Sequence, residues 1–151
     1  ITCAFTDVQN STKLWQGNEK AMRESLEIHN QIMRRNLQLY RGYEVKTNGD
    51  SFYVAFRDPY DAMLWAMAVQ LELLSAKWPS DLYHEWDCRQ EWDSKTRKAY
   101  WSGLRVRIGL HYGKGDCVFD KTMKRYDYFG TVVNKSARIE ALAHGGQVCV
   151  S

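Results

Sequence analysis

The sequence predicts an α+β fold in which helices cover one face of a largely antiparallel sheet. Helical patterns occupy three long segments, apolar and polar residues alternate over 104–111, and Asn48-Gly49 is typical of a tight turn between strands. The predicted order is strand, helix, strand, strand, helix, insertion, strand, hairpin region, helix and strand. This order is typical of a β-α-β-β-α-β core.

The first part of the chain is predicted to form a buried strand and a long helix. ITCAF at 1–5 is almost entirely apolar, and the turn-forming residues of FTDVQNSTKLW follow it. From about Asn18 to Tyr40 apolar residues recur near helical spacing, which predicts an amphipathic helix. Gly42 is the expected stop of this helix.

Residues 43–56, YEVKTNGDSFYVAF, are predicted to form a β-hairpin. The Asn48-Gly49 pair suits a type I′ turn, because that turn needs positive φ at both central positions. Side chains alternate before the turn, so Lys46 would face away from Val45. Asp50 leaves the turn directly into an apolar strand.

The second half contains two more helices and two more strands. Asp58-Pro59 is a typical helix start, with a capping side chain followed by proline at the first helical position. Residues 79–102 lose periodicity and are predicted to be an insertion or small subdomain. A half-buried strand, a glycine-bearing loop with a short strand, a helix over 131–144 and a final strand over 147–151 complete the chain.

Composition favours one globular domain spanning residues 1–151. The chain is 44% hydrophobic and 26% charged, a balance that disfavours disorder. The formal net charge of +3 is modest and scattered, so a nucleic-acid partner is not predicted. The four cysteines form no Cys-x-x-Cys pair, which favours reduced structural thiols in a cytosolic setting over disulfides.

Two aspartates follow predicted strands or turns and are candidate metal ligands. Asp7 comes just after the first strand and Asp50 just after the hairpin turn, so the two carboxylates can converge at one end of the sheet. Mg²⁺ commonly takes one or two carboxylates and completes its shell with water and substrate phosphates. The alternative interpretation is that Asp7 caps a helix or loop and that Asp50 satisfies turn amides.

Four other polar residues are candidates for substrate contacts. Asn134 and Arg138 are four apart on a predicted helix, where an amide and a guanidinium can hold an oxyanion together. A capping or salt-bridged surface pair is the alternative. Taken alone, Lys46 is interpreted as a solvated lysine on a strand face and Asp127 as a turn residue beside the aromatic core.

Five motifs in order give the sequence a family resemblance. They are FTDVQNST, YEVKTNGDSFYVAF, GLRVRIGLHYG, YDYFGTVVNKSAR and GGQVCVS. Together they resemble the catalytic domain of class III adenylyl cyclases, above all the fungal and trypanosomatid type, over nearly the whole chain apart from 79–102. The resemblance implies the ferredoxin-like core of the class III cyclase fold, with the C-terminal part of the domain missing.

The resemblance also implies roles for the candidate residues. Asp7 and Asp50 match the metal-binding aspartates, and the backbone carbonyl of Val8 would help to bind one ion. Lys46 and Asp127 match the pair that reads the adenine edge. Asn134 and Arg138 match the catalytic pair that orients the ribose and stabilises the transition state at the phosphate.

The implied activity is conversion of ATP to cyclic AMP and pyrophosphate with two Mg²⁺ or Mn²⁺ ions per site. In this family metal ligands come from one domain and base-reading and transition-state residues from another, so a homodimer with two equivalent sites is expected. The resemblance further implies a cytosolic catalytic domain of a larger membrane-associated protein in cAMP signalling. It does not identify the upstream regulator.

Other interpretations of the sequence remain open. A catalytically silent cyclase-like domain would share most motifs, although the metal aspartates and the Asn134 and Arg138 pair favour an enzyme. An α+β sheet that binds RNA lacks support from a glycine-aromatic motif or a basic patch. His84 and Cys88 lack the spacing of a zinc site. The aromatic residues of 79–102, with Trp78, are predicted to form a small satellite core.

Overall fold

The computed structural model describes residues 1–151 and contains four α-helices and nine strands. The helices are α1 (Ser11–Gly17), α2 (Glu19–Leu39), α3 (Pro59–Ser75) and α4 (Thr131–Leu142). The strands are β1 (Thr2–Val8), β2 (Tyr43–Asn48), β3 (Ser51–Phe56), β4 (Glu91–Trp92), β5 (Ala99–Trp101), β6 (Val106–Tyr112), β7 (Asp116–Asp120), β8 (Arg125–Phe129) and β9 (Val148–Val150).

The central sheet has five strands in the order β2-β3-β1-β6-β9. The first four strands pair antiparallel, and β9 pairs parallel to β6. With α2 between β1 and β2 and α3 between β3 and β6, these strands form the predicted β-α-β-β-α-β core. The α+β fold class is therefore confirmed.

The ends of α2 and α3 follow the signals in the sequence. Asn18 caps α2 by accepting a hydrogen bond from the Ala21 amide at 3.0 Å. Asp58 caps α3 by accepting from the Tyr60 amide at 2.8 Å, with Pro59 at the start of the helix. The short helix α1 was not predicted, because seven residues give too little apolar periodicity to separate a helix from a turn.

The main core lies between one face of the sheet and helices α1 to α3. Alternate residues of the three middle strands enter it, since side chains along a strand point to opposite faces. The strand residues of this core are Ala4, Val8, Phe52, Val54, Phe56, Val106, Ile108 and Leu110. On this face the prediction that helices cover the sheet is correct.

Helix α4 departs from that prediction because it packs on the opposite face. Gly109 has no side chain, and a Cβ atom built there would lie 2.1 Å from the Glu140 amide nitrogen, so only glycine lets the helix come this close. The buried Ser136 hydroxyl donates to the Cys3 carbonyl at 2.6 Å and reaches the Gly109 carbonyl at 3.2 Å. Helices therefore cover both faces.

The insertion does not form the predicted satellite core. Two short 3₁₀ turns, Ser80–His84 and Trp86–Cys88, precede the β4–β5 hairpin. The first part of the segment adds Leu82 and Cys88 to the main core, which also takes Trp78. Three aromatic side chains are instead exposed: Trp86, Trp92 and Tyr100. A two-strand hairpin is too small to bury them. All four cysteines of the chain are free, as predicted.

Candidate active site

The two candidate metal ligands lie together at one end of the central sheet. Antiparallel pairing of β1 with β3 brings the end of β1 beside the hairpin turn. The Ser51 hydroxyl donates to Asp7 Oδ1 at 2.8 Å, and the Val8 amide donates to Asp50 Oδ2 at 3.1 Å. Each aspartate is thus held by the residue that adjoins the other, so the expected convergence occurs.

Arg107 on β6 joins this acidic cluster and was not identified from the sequence. It pairs across the sheet with Asp7, and its Nη2 donates to Asp7 Oδ2 at 2.6 Å. Its Nε forms an ion pair with Glu140 of α4. Burial raises the pKa of Glu140 above its ordinary value, while the Arg107 charge opposes that rise. The alternation of β6 predicts that the Arg107 side chain points away from the main core. Its partner Asp7 follows only from the register in which β1 and β6 pair.

The donor set of this cluster fits a hard divalent cation. Asp50 accepts a hydrogen bond at Oδ2, which leaves Oδ1 for an ion. To bind an ion, Asp7 Oδ2 would have to release the Arg107 guanidinium that now donates to it. The structure contains no group of three or more His, Cys, Asp or Glu side chains placed to hold a metal. Two carboxylates suit Mg²⁺ or Mn²⁺ when water and substrate phosphates complete the shell.

The two candidate adenine-reading residues form a direct ion pair. Lys46 Nζ donates to Asp127 Oδ2 at 2.6 Å, with the lysine side chain 64% exposed and the aspartate 17% exposed. The β7–β8 hairpin supplies Asp127 and is fixed over β2, because the Tyr126 amide donates to Tyr43 Oη at 3.1 Å. A groove of about 230 Å³ opens beside the pair.

A β-bulge gives Lys46 its direction. Glu44 pairs with Val54 and Lys46 with Tyr53, so Val45 is the extra residue on β2. Val45 is buried in the smaller core with Tyr53, on the face that also carries Lys46. The predicted regular alternation is therefore wrong at this point. Without the bulge, Lys46 would point to the opposite face from its partner Asp127.

Asn134 and Arg138 are both exposed on α4. The helix buries Val132 and Ser136 against the sheet, and Asn134 and Arg138 lie one turn apart on its outer side. Gly130, with φ of 120°, ends the hairpin immediately before the helix. Both side chains are thus presented to solvent, where another molecule can reach them.

A domain that combines paired carboxylates, an arginine beside them and an exposed lysine-aspartate ion pair has the features of a nucleotide-binding enzyme domain. The chain belongs to the adenylate and guanylate cyclase catalytic domain family, whose sequence profile matches residues 1–151. The family resemblance predicted from the five motifs is confirmed.

Individual relatives agree with this assignment. The chain is 44% identical over 151 residues to an adenylate cyclase of Podospora anserina, covering 100% of this chain and 7% of that protein. It is 37% identical over 164 residues to receptor-type adenylate cyclase A of Leishmania donovani, covering 98% of this chain and 12% of that protein. It therefore spans a small part of each relative.

The fold is also found in solved structures. Adenylate cyclases of Trypanosoma brucei, analysed in their monomeric state, include a structure that superposes with a TM-score of 0.88 at 35% identity. The match covers 99% of this chain and 71% of that chain.

No helix here has the length and apolar character that crossing a bilayer requires.

Proposed function

We propose that this chain is an adenylyl cyclase catalytic domain that forms 3′,5′-cyclic AMP and pyrophosphate from ATP. The observation that carries the adenine assignment is the Lys46 and Asp127 pair, which places a donor beside an acceptor in the lining of a groove. Adenine presents the complementary pair, an acceptor at N1 and a donor at N6. Guanine presents N1–H and O6 instead, which reverses the order and disfavours GTP.

Asp7 and Asp50, with the backbone carbonyl of Val8, would hold two Mg²⁺ or Mn²⁺ ions at the end of β1. When bound, such ions lower the pKa of the ribose 3′-hydroxyl and neutralise charge on the α-phosphate and pyrophosphate. Ser51 keeps Asp7 oriented through its 2.8 Å hydrogen bond. The Val8 amide does the same for Asp50.

Asn134 and Arg138 would act on the ribose and the α-phosphate. Arg138 supplies a fixed positive charge where negative charge develops during attack by the 3′-hydroxyl. Asn134 hydrogen-bonds the ribose and holds it near the attack geometry. Their spacing of one helical turn lets both reach one nucleotide.

We further propose that each active site forms between two copies of the chain. Asn134 and Arg138 are exposed, so they are available to a neighbouring molecule. The β7–β8 hairpin carries exposed apolar side chains that a second copy would bury: Val118, Phe119, Met123, Tyr126 and Phe129. A twofold dimer would then have two equivalent sites, each with metal ligands from one protomer and the α4 pair from the other.

The setting in a larger protein is likewise a proposal. The matched relatives are much longer than this chain, and one of them is named as receptor-type. We infer that the domain acts in cAMP signalling as the cytosolic part of a membrane-associated protein.

A catalytically silent, nucleotide-binding domain is the second candidate. The observation in its favour is the Arg107 guanidinium on Asp7, which occupies an oxygen that a metal ion would need. The two candidates differ in whether a metal ion displaces this contact.

Product formation from ATP and GTP tests the proposal directly. Activity would be measured with Mg²⁺ and with Mn²⁺ over a protein concentration series, beside Asp50→Asn, whose amide oxygen can still accept from Val8. We expect cyclic AMP as the main product, specific activity that rises with protein concentration, and loss of activity in the variant. Nucleotide binding without product under all conditions would support the silent domain instead.

A further inference from the structure

We propose that Glu140 is a positioning residue that sets the divalent-cation affinity of Asp7 by retaining Arg107 when the cation binds. This inference rests on the proposed function, because it takes Asp7 as a metal ligand. Glu140 itself is not assigned to the metal or to the nucleotide.

Arg107 uses different nitrogens for its two carboxylate partners. Nη2 donates to Asp7 Oδ2 at 2.6 Å, whereas Nε pairs with Glu140 Oε1. Both atoms of the second pair are shielded from solvent. Arg107 can therefore release Asp7 through Nη2 while its Nε remains neutralised by Glu140.

The packing of α4 on β6 fixes Glu140 in this position. The helix backbone at Glu140 lies directly on Gly109, two residues beyond Arg107 on the same strand. The Ser136 hydrogen bonds to the Cys3 and Gly109 carbonyls hold the preceding turn. The Glu140 side chain is 13% exposed, so water screens its ion pair weakly.

The charges around Arg107 predict that losing the Glu140 charge weakens cation binding at Asp7. A cation that takes Asp7 removes one of the two anionic partners of Arg107, whose side chain is only 32% exposed. With Glu140 in place, the guanidinium keeps a partner. Without it, the cation would leave a partly buried, unpaired arginine beside itself, which is unfavourable. Asp7 would then stay bound to Arg107.

The test is a Mg²⁺ titration of the ¹⁵N-labelled chain without nucleotide, followed through the amide resonances of Val8 and Ser51. Glu140→Gln keeps the side-chain shape and an acceptor oxygen but removes the charge. We expect its Mg²⁺ dissociation constant to rise about threefold to tenfold. Glu24→Gln, an exposed change of the same charge on α2, should leave it unchanged.

A double-mutant cycle separates retention of Arg107 from general electrostatics. In an Arg107→Gln background, Glu140→Gln should no longer weaken Mg²⁺ binding, because no arginine competes for Asp7. An equal weakening in both backgrounds would overturn the inference, as would wild-type affinity in Glu140→Gln. If Mg²⁺ changes the wild-type resonances no differently from those of Asp50→Asn, the proposed metal site is wrong, and the inference fails with it.

Discussion

Replacing Gly109 by alanine should push α4 away from β6. The added Cβ would lie 2.1 Å from the Glu140 amide nitrogen and 2.4 Å from Glu140 Cα. Both are backbone atoms of a helix, so no side-chain rotation can relieve the clash. The contact is about 1.3 Å shorter than the 3.4 Å at which ordinary contacts begin.

The cost combines overpacking with lost hydrogen bonds. Forcing an additional methyl group into a packed site costs about 1–3 kcal/mol. A retreat of the helix would also stretch the Ser136 contacts with the Cys3 and Gly109 carbonyls, each worth about 1 kcal/mol. We expect the free energy of unfolding to fall by about 2–4 kcal/mol, a large part of the roughly 5–15 kcal/mol of a typical domain.

Urea unfolding followed by circular dichroism measures this loss. The midpoint should fall by about 1–2 M, given a typical dependence on urea for a domain of this size. Gly113→Ala is the matched control on the same side of the sheet, because its Cβ would meet Val132 at 3.4 Å, an ordinary contact. A Gly109→Ala midpoint equal to that of Gly113→Ala would refute the proposed close packing of α4.

Three further predictions concern catalysis, specificity and pH. Arg138→Ala should lower kcat by about 100- to 1000-fold with little change in the KM for ATP, as for loss of one oxyanion donor. Steady-state kinetics in which only KM changed would contradict the proposed role. Lys46→Glu should lower the ratio of kcat/KM for ATP to kcat/KM for GTP by at least about tenfold. The reason is that a carboxylate accepts from guanine N1–H but cannot donate to adenine N1. An unchanged ratio would exclude base reading by this residue. Burial lowers the pKa of His29, so as pH falls below about 6.5 the unfolded chain binds a proton that the folded chain does not. Between pH 7.5 and 5.5 the free energy of unfolding should therefore fall by about 1 kcal/mol more in the wild type than in His29→Gln. Parallel pH profiles in urea unfolding would show that His29 is not responsible.

Local sequence signals predicted most of the secondary structure. Asn18, Asp58 and the alternation over 104–111 each act within a few residues, and the structure places helix starts and a strand where they indicate. The side on which α4 packs depends instead on Gly109, which lies more than twenty residues earlier in the chain. No local periodicity contains that information.

The candidate site divides in the same way. The motifs predicted Asp7, Asp50, Lys46 and Asp127 as site residues. The structure pairs Lys46 with Asp127 and places Asp50 against the end of β1. Arg107 gained its partners only through strand register and helix packing, so the sequence showed it merely as a polar strand residue. The bulge at Val45 was missed because an extra residue in one strand is defined by the partner strand.

Mixing two inactive variants tests the shared active site most directly. Asp50→Asn lacks one proposed metal ligand but keeps the α4 pair, while Arg138→Ala keeps both proposed metal ligands. If each site combines two protomers, half of the dimers in an equal mixture are mixed, and each has one intact site of two. We expect the mixture to recover about a quarter of the wild-type cyclic AMP production after equilibration. No recovery, in a mixture shown to contain mixed dimers, would contradict a site built from two copies of the chain.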